Sequence, residues 1–475
     1  MKYKRLISVV ALVVIITAGF INSTGCANII PPQGGPRDSI APVLLKSNPG
    51  DSAVNFTGNK ITFTFDEFID VQNIQENLLV SPLPKATPTV DFRLKEMTVK
   101  LKDSLTPNTT YTLDFGNAVK DYSEGNVFKN FTYTFSTGKH IDSLELKGNV
   151  VLAETGKTDS TLIVMLHSSP VDSVIIKERP KYIARLDGKG NYHFRNLPSA
   201  TFYLYALKGE GGTRRYFNEK QLFAFADTAV NIQQKNNPVT LYAFAEKKAT
   251  LSPADQFSAI PPGGKNRAAT ADKRLKYQTS LQNNQQDLLS NFTMTFEQPL
   301  KIFDSTKIRL YTDTSYQPAG NLIFDKDSTA TIITLSNTWN ENTQYHLVMD
   351  KDFAEDTSGK KLLKTDTLSF TTKKKTDYGH LKIRFRNLDI NKNPVLQIIL
   401  SSSIFKSYPL TGTEFAAGLF LPGEYELRIL YDDNKNGVWD PGQFFGKRKQ
   451  PELVKPVERK ITIKPNWQNE FDINL

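Results

Sequence analysis

The sequence predicts an all-β chain, a string of β-sandwich domains, and three observations predict it. Short segments alternating apolar and polar residues recur along the chain, turn clusters separate them, and long amphipathic helices are absent. In "NKITFTFDEFID" (59–70), Ile61, Phe63 and Phe65 alternate with Thr62 and Thr64, the period of two expected of a half-buried strand. The pattern returns in "TYTLDF" (110–115), "NFTYTFST" (130–137), "FTMTF" (292–296), "ATIITL" (330–335), "DTLSFTT" (366–372), "LKIRFRN" (381–387), "YELRILY" (425–431) and "ERKITIK" (458–464). Turn clusters such as "SNPGD" (47–51), "TPNTT" (106–110) and "NKNG" (434–437) lie between them. Leu281 to Leu289 reads at most as one short helix. Many short strands with regular turn signals read as sandwiches of about 100 residues each.

Internal repeats order these strands. Phe65-Asp66-Glu67 and Phe296-Glu297-Gln298 each close a strand. Each is followed by a Tyr-containing strand ("NTTYTL", "NTQYHL") and then by a strand ending in Phe-x-Thr. Phe65 to Tyr111 spans 46 residues and Phe296 to Tyr345 spans 49; Tyr111 to Phe135 spans 24 and Tyr345 to Phe370 spans 25. Matching motifs at matching intervals indicate one fold used twice. With Pro42 and Pro49, Phe65, Leu105 to Leu113 and Phe135 to Thr137, the first copy resembles the SbsA-type bacterial Ig-like domain. The second copy keeps "NTQYHL" and "FTT" but has lost the opening prolines near "RLKYQTSL" (274–281). Tyr111 and Tyr345 are expected to fill a sandwich corner, each hydroxyl bonded to nearby backbone.

A second pair is fainter. "ARLDGKGNYHFRNLPSATFYLYAL" (184–207) parallels "TEFAAGLFLPGEYELRIL" (413–430), both setting a Leu-Pro turn before an aromatic-rich strand. Asp187, Gly190, Tyr192, Phe194 and Leu197 in one copy, and Leu421, Pro422, Gly423 and Tyr425 in the other, resemble the transthyretin-like (carboxypeptidase-regulatory) type of β-sandwich. The expected order is a signal segment (1–25), a tether (26–41), an Ig-like domain (42–138), a transthyretin-like domain (139–245), a linker (246–273), a second Ig-like domain (274–373) and a C-terminal transthyretin-like domain (374–475).

The N-terminus carries its own chemistry. Lys2, Lys4 and Arg5 precede an apolar run from Leu6 to Ile16, and Ser23, Thr24 and Gly25 precede Cys26, the only cysteine. A basic stretch, an apolar stretch and a small-residue site make a processing signal, and the apolar run is too short for a membrane-spanning helix of about 20 residues. One thiol cannot close a disulfide within its chain. The segment resembles a bacterial lipoprotein signal, which implies a thioether-linked lipid on Cys26 and attachment to the outer membrane through it. "C-A-N" at Cys26, the following "P-P-x-G-G-P-x-D" (31–38) and "D-x-N-x-N-G-x-W-D-x-G" (432–442) give the whole chain a resemblance to multi-domain Ig-like lipoproteins of Bacteroidota. Residues 27 to 36 contain no acidic side chain, which favours the periplasmic face while leaving the cell surface open.

Charge and motifs bound the function. The chain holds 59 Lys and Arg against 49 Asp and Glu; without the signal's three cations the balance is about +7. No nucleic-acid-binding motif accompanies that mild excess, so nucleic acid is not an expected partner. His140, His167, His193, His346 and His380 have no metal-ligand spacing. No nucleophile elbow, P-loop or dinucleotide fingerprint is found, and a non-catalytic protein is expected. One segment has ligand spacing. In "DDNKNGVWD", Asp432, Asn434, Asn436 and Asp440, with the Val438 carbonyl, fill positions 1, 3, 5, 9 and 7 of a calcium loop. Gln443 stands where a bidentate Glu is needed, and Asn436-Gly437 also reads as a plain hairpin turn between strands. The chain is therefore expected to act as a scaffold or accessory subunit of an envelope complex, with partners such as an outer-membrane β-barrel; the alternative is a carbohydrate-binding or adhesion lipoprotein.

Overall fold

The computed structural model describes residues 3, 37–209, 214–233, 238–247, 274–312, 317–320 and 322–475. Strands dominate throughout, and the chain divides into two compact units. One runs through Leu144 with Asn196–Pro198, and the other holds Glu145–Arg195 and Ser199–Leu475. Among the described residues no helix is long and apolar enough to cross a membrane.

In the first unit, strand Lys60–Phe65 buries Ile61, Phe63 and Phe65 and turns its threonines outward. It lies between Leu44–Asn48 and Glu96–Lys100, with Thr89–Arg93 at the edge. Leu79–Ser81, Thr110–Gly116 and Phe131–Ser136 form the facing sheet. Phe63 packs edge-on against Phe115, Phe131 and Tyr133 across the sandwich, with centroids 5.6, 5.2 and 5.1 Å away. The Tyr111 ring is buried and its hydroxyl accepts from Thr106 N at 2.8 Å. Thr137, the last residue of the Phe-x-Thr motif, donates to Thr106 O at 2.7 Å and accepts from Thr109 N at 3.0 Å. The corner is thus fastened from both sides.

The second copy repeats this order strand for strand. Tyr277–Thr279, Phe292–Phe296, Ile332–Ser336 and Ile323–Lys326 form one sheet; Ile308–Thr312, Gln344–Met349 and Asp366–Thr372 lie in the other. Tyr345 accepts from Asn340 N at 3.2 Å, and Thr372 accepts from Thr343 N at 2.9 Å, as Tyr111 and Thr137 do. The segment 281–289 forms no helix. Gln285–Gln286 instead pairs in parallel with Asp366–Thr372, and the buried Gln286 amide donates to Asp287 O and Ser290 O.

The fainter repeat is also realised strand for strand. Asn191–Leu197, Leu144–Leu152 and Val239–Ala243 form a three-stranded sheet whose last pair is parallel; Glu414–Phe420, Gly379–Arg386 and Gln468–Asn474 do the same. Tyr182–Arg185, Leu162–His167, Thr201–Lys208 and Phe223–Phe225 make the facing sheet of the first, with Val230–Asn231 also on Thr201–Lys208. Ser403–Pro409, Pro394–Leu400, Gly423–Tyr431 and Leu453–Pro456 correspond in the second, with Ile461–Ile463 on Gly423–Tyr431.

Candidate functional site

Between the paired strands Gly423–Tyr431 and Leu453–Pro456 the chain makes a 21-residue excursion. It begins in the Asp432–Asp440 segment. Asp432 is buried, and its carboxylate accepts from Asn436 N at 3.2 Å and Gly437 N at 2.6 Å. Asn434 Oδ1 accepts from Asn436 N, Asn436 Oδ1 accepts from Val438 N, and both amide nitrogens donate to Asp440 Oδ2. Each short polar side chain turns the backbone it precedes, the usual role of Asx residues. Lys435 and Gly437 adopt φ of 62° and 78°, the left-handed region that glycine enters without strain. The hairpin reading needs correction. Asn436-Gly437 does not join two paired strands, because Tyr431 pairs with Leu453; side-chain acceptors bend the chain here, not a strand ladder.

Glu452, which no sequence motif marks, closes the segment. It is buried; Oε1 accepts from Asp433 N and Oε2 from Asp440 N, each at 2.9 Å, and Trp439 Nε1 donates to Glu452 O at 2.7 Å. Burial, with the charges of Asp432 and Asp440, raises its pKa against those two N–H donors. Its only sequence signal was an acidic residue between Pro451 and the apolar Leu453-Val454. The oxygens named on Asp432, Asp440 and Glu452 face N–H groups. Gln443 pairs through its backbone with Lys449 and aims its amide at Phe445 O. Among the described residues no group of three or more His, Cys, Asp or Glu side chains is placed to hold a metal ion.

The second half of the excursion reaches the sandwich of residues 145–247. Phe444, 1% exposed, sets its ring 5.8, 5.1 and 5.0 Å from those of Tyr205, Phe223 and Phe225. Its backbone N donates to Glu246 Oε1 at 3.0 Å. Arg448 lies over the Phe444 ring and donates to Asp172; Gln450 Nε2 donates to Phe225 O and Asp227 Oδ1 at 3.0 and 2.7 Å. The approach is close enough to demand glycine at two points. A Cβ on Gly442 would lie 2.7 Å from the Phe244 ring, and one on Gly156 would lie 2.2 Å from Pro456 Cδ. The segment is therefore a clamp that fastens the C-terminal sandwich to one more than 200 residues earlier. The sequence signal it left was the pair Phe444-Phe445 inside an otherwise polar, glycine-flanked loop.

Beside the clamp, Asn149, Val151, Thr240 and Tyr242 on one sandwich face Lys392 and Tyr431 on the other across an open cleft of about 650 Å³. Cys26 lies outside the described residues.

Residues 38–137 and 277–372 match the bacterial Ig-like domain family. The chain thus contains two bacterial Ig-like domains. The match falls on the two sandwiches that share the Tyr corner and leaves aside the two that share the parallel pair. Among solved structures the chain is similar to an L,D-transpeptidase from Mycobacterium smegmatis (14% identity over 27% of this chain and 62% of that one, TM-score 0.15). It is similar also to the N-terminal part of the bacterial S-layer protein SbsC (18% over 43% and 44%, TM-score 0.16) and to the Bacillus anthracis TIE protein (11% over 94% and 75%, TM-score 0.17). It spans less than two thirds of the first two of these chains. No curated protein matches it.

Proposed function

We propose that this Ig-like protein is a non-catalytic outer-membrane lipoprotein, held by lipid on Cys26, that acts as a scaffold or accessory subunit for other envelope proteins. The clamp is the observation that carries the reading. Phe444, Arg448 and Gln450 fix two sandwiches that are remote in sequence into one body, and a body of fixed shape can hold a partner in register at low entropic cost. Strands such as Ser403–Pro409 and Thr89–Arg93 lie at sheet edges, which extended segments of a partner can join. The transthyretin-like assignment of the two clamped sandwiches belongs to the same proposal, supported by their shared topology.

Native purification from membranes, with identification of co-purifying proteins, tests this. A stoichiometric β-barrel partner supports the scaffold, and purification of the chain alone counts against it. Cys26→Ser should abolish fatty-acid labelling and membrane retention; label that survives the substitution would overturn the anchor. The cleft bordered by Tyr242 and Tyr431 favours a second reading, carbohydrate binding or adhesion, because aromatic rings with neighbouring amide and hydroxyl groups suit sugars. A glycan array separates the two: strong array binding without a protein partner selects the second.

A further inference from the structure

We infer that the loop tips at one end of the first Ig-like sandwich form a membrane-contacting rim, fitted to the headgroup layer of a zwitterionic bilayer. The inference rests on the proposed lipid anchor at Cys26 but adds a second, non-covalent contact. Phe68, Leu94 and Tyr122 are 52%, 62% and 74% exposed. They come from three separate turns that the backbone ties together: Ile69 N donates to Leu94 O at 3.0 Å and Tyr122 N to Phe68 O at 2.9 Å. Lys95 Nζ stands 5.7 Å from the Phe68 ring centroid. Three large apolar groups on adjoining turns are a patch, whereas apolar side chains exposed singly call for no explanation.

The chain itself says which surface lies near. Arg37 donates to Glu124 O at 3.2 Å, and Asn126 Nδ2 donates to Asp38 O at 3.1 Å. Those contacts hold the incoming chain on the turn that carries Tyr122. Arg37 follows Cys26 by eleven residues, so a fully extended tether reaches at most about 40 Å. A lipid on Cys26 therefore keeps this end of the sandwich close to the bilayer. Aromatic rings with an aliphatic side chain and a lysine suit the interfacial layer. The local charge is mixed and not cationic. Asp66, Glu67, Asp121 and Glu124 lie at the same end as Lys95 and Arg37, which selects zwitterionic headgroups over an anionic surface. Asp121 turns its carboxylate inward onto the N–H groups of Glu124, Gly125 and Asn126. Burial and the neighbouring Asp121, Asp66, Asp38 and Glu124 raise the pKa of Glu67, which eases its approach to an apolar layer. The patch would add a non-covalent attachment to that of the lipid on Cys26.

The test uses the lipidated full chain. Because Cys26 is the only cysteine and would carry lipid, Tyr122→Cys or Leu94→Cys supplies the one free thiol for a nitroxide label; Lys102→Cys is the control. In phosphatidylethanolamine-rich vesicles, the ratio of oxygen to nickel-chelate accessibility should be several-fold higher at positions 94 and 122 than at 102. Membrane-retained protein with water-like ratios at all three positions would overturn the rim and leave the anchor standing. A label shielded from both reagents would show a protein cover instead and would also overturn it. Protein that carries no acyl group would overturn both the anchor and this inference.

Discussion

Replacing Phe444 by Ala should undock the clamp while leaving each sandwich folded. The ring is 1% exposed and touches Tyr205, Phe223 and Phe225, which belong to the other sandwich. Removing about 150 Å² of buried aromatic surface at 25 cal/mol per Å² costs about 4 kcal/mol, within the range of about 3–5 kcal/mol seen for Phe→Ala in cores. That energy falls on the docked state, so the docked-to-undocked ratio should drop about a thousandfold. The core of the C-terminal sandwich contains Leu396, Ile398 and Ile429 but not Phe444, and should be untouched. Hydrogen exchange of the full chain reads the outcome. Protection should fall at Gln443 and Lys449, whose N–H groups each donate to the other's carbonyl, and hold in strand Pro394–Leu400. Unchanged protection at Gln443, or equal loss in Pro394–Leu400, would refute the clamp. Val438→Ala, at a residue 61% exposed, serves as the silent control.

Three further outcomes follow from the same geometry. Tyr111→Phe should lower the melting temperature of the chain by removing the acceptor of Thr106 N, a loss of about 1–3 kcal/mol for a stranded donor; Tyr345→Phe should act likewise through Asn340 N. His167 is buried against Tyr205, and burial pushes its pKa down to about 4. Its folded pKa lies below the unfolded value near 6.5, so its contribution is complete above pH 6.5 and drains away as pH falls toward 4, by about 3 kcal/mol in all. His167→Phe should flatten that part of the stability–pH curve, and an unchanged slope would refute the assignment. Asp432→Ala should destabilise equally in calcium and in chelator, since it strands Gly437 N and leaves Asn436 N with Asn434 Oδ1 alone; a calcium-dependent rise in melting temperature of the parent chain, lost in the variant, would instead make Asp432, Asn434, Asn436, Val438 and Asp440 ligands.

What could be read in the sequence was what local physics imposes. Strand Lys60–Phe65 announces itself because one face is buried and the other wet, so its residue types must alternate. Tyr111 and Thr137 were legible as a pair because corner and closing strand recur at the same spacing in a second copy. The fainter repeat left a Leu-Pro turn and an aromatic strand in common, and those two strands hold equivalent places in identical sheet orders. Glu452 and Phe444 were not legible. Glu452 meets Asp433 19 residues back, Phe444 meets Glu246 across 198 residues, and Arg448 meets Asp172 across 276. No periodicity reaches that far. The parallel pairing of Gln285–Gln286 with Asp366–Thr372, beside the buried Gln286 amide, is likewise a contact that residues 281–289 do not announce locally.

The polar first half of the segment also has a structural task in the clamp. An excursion of 21 residues loses about 1–2 kcal/mol of backbone entropy for each residue it orders, and one phenylalanine cannot offset that for the whole length. The Asp432, Asn434 and Asn436 turns, closed by Asp440 and Glu452, order the first half by contacts internal to the C-terminal sandwich. Trp439 then seats against Glu452 O, and the chain leaves it already directed toward Gly442 and Phe444. Only the second half has to gain its order from docking, where the Phe444 ring, the Arg448 charge and the Gln450 amide act together. A loop built to present such an anchor needs the tight, acceptor-rich turns that a cation site also needs.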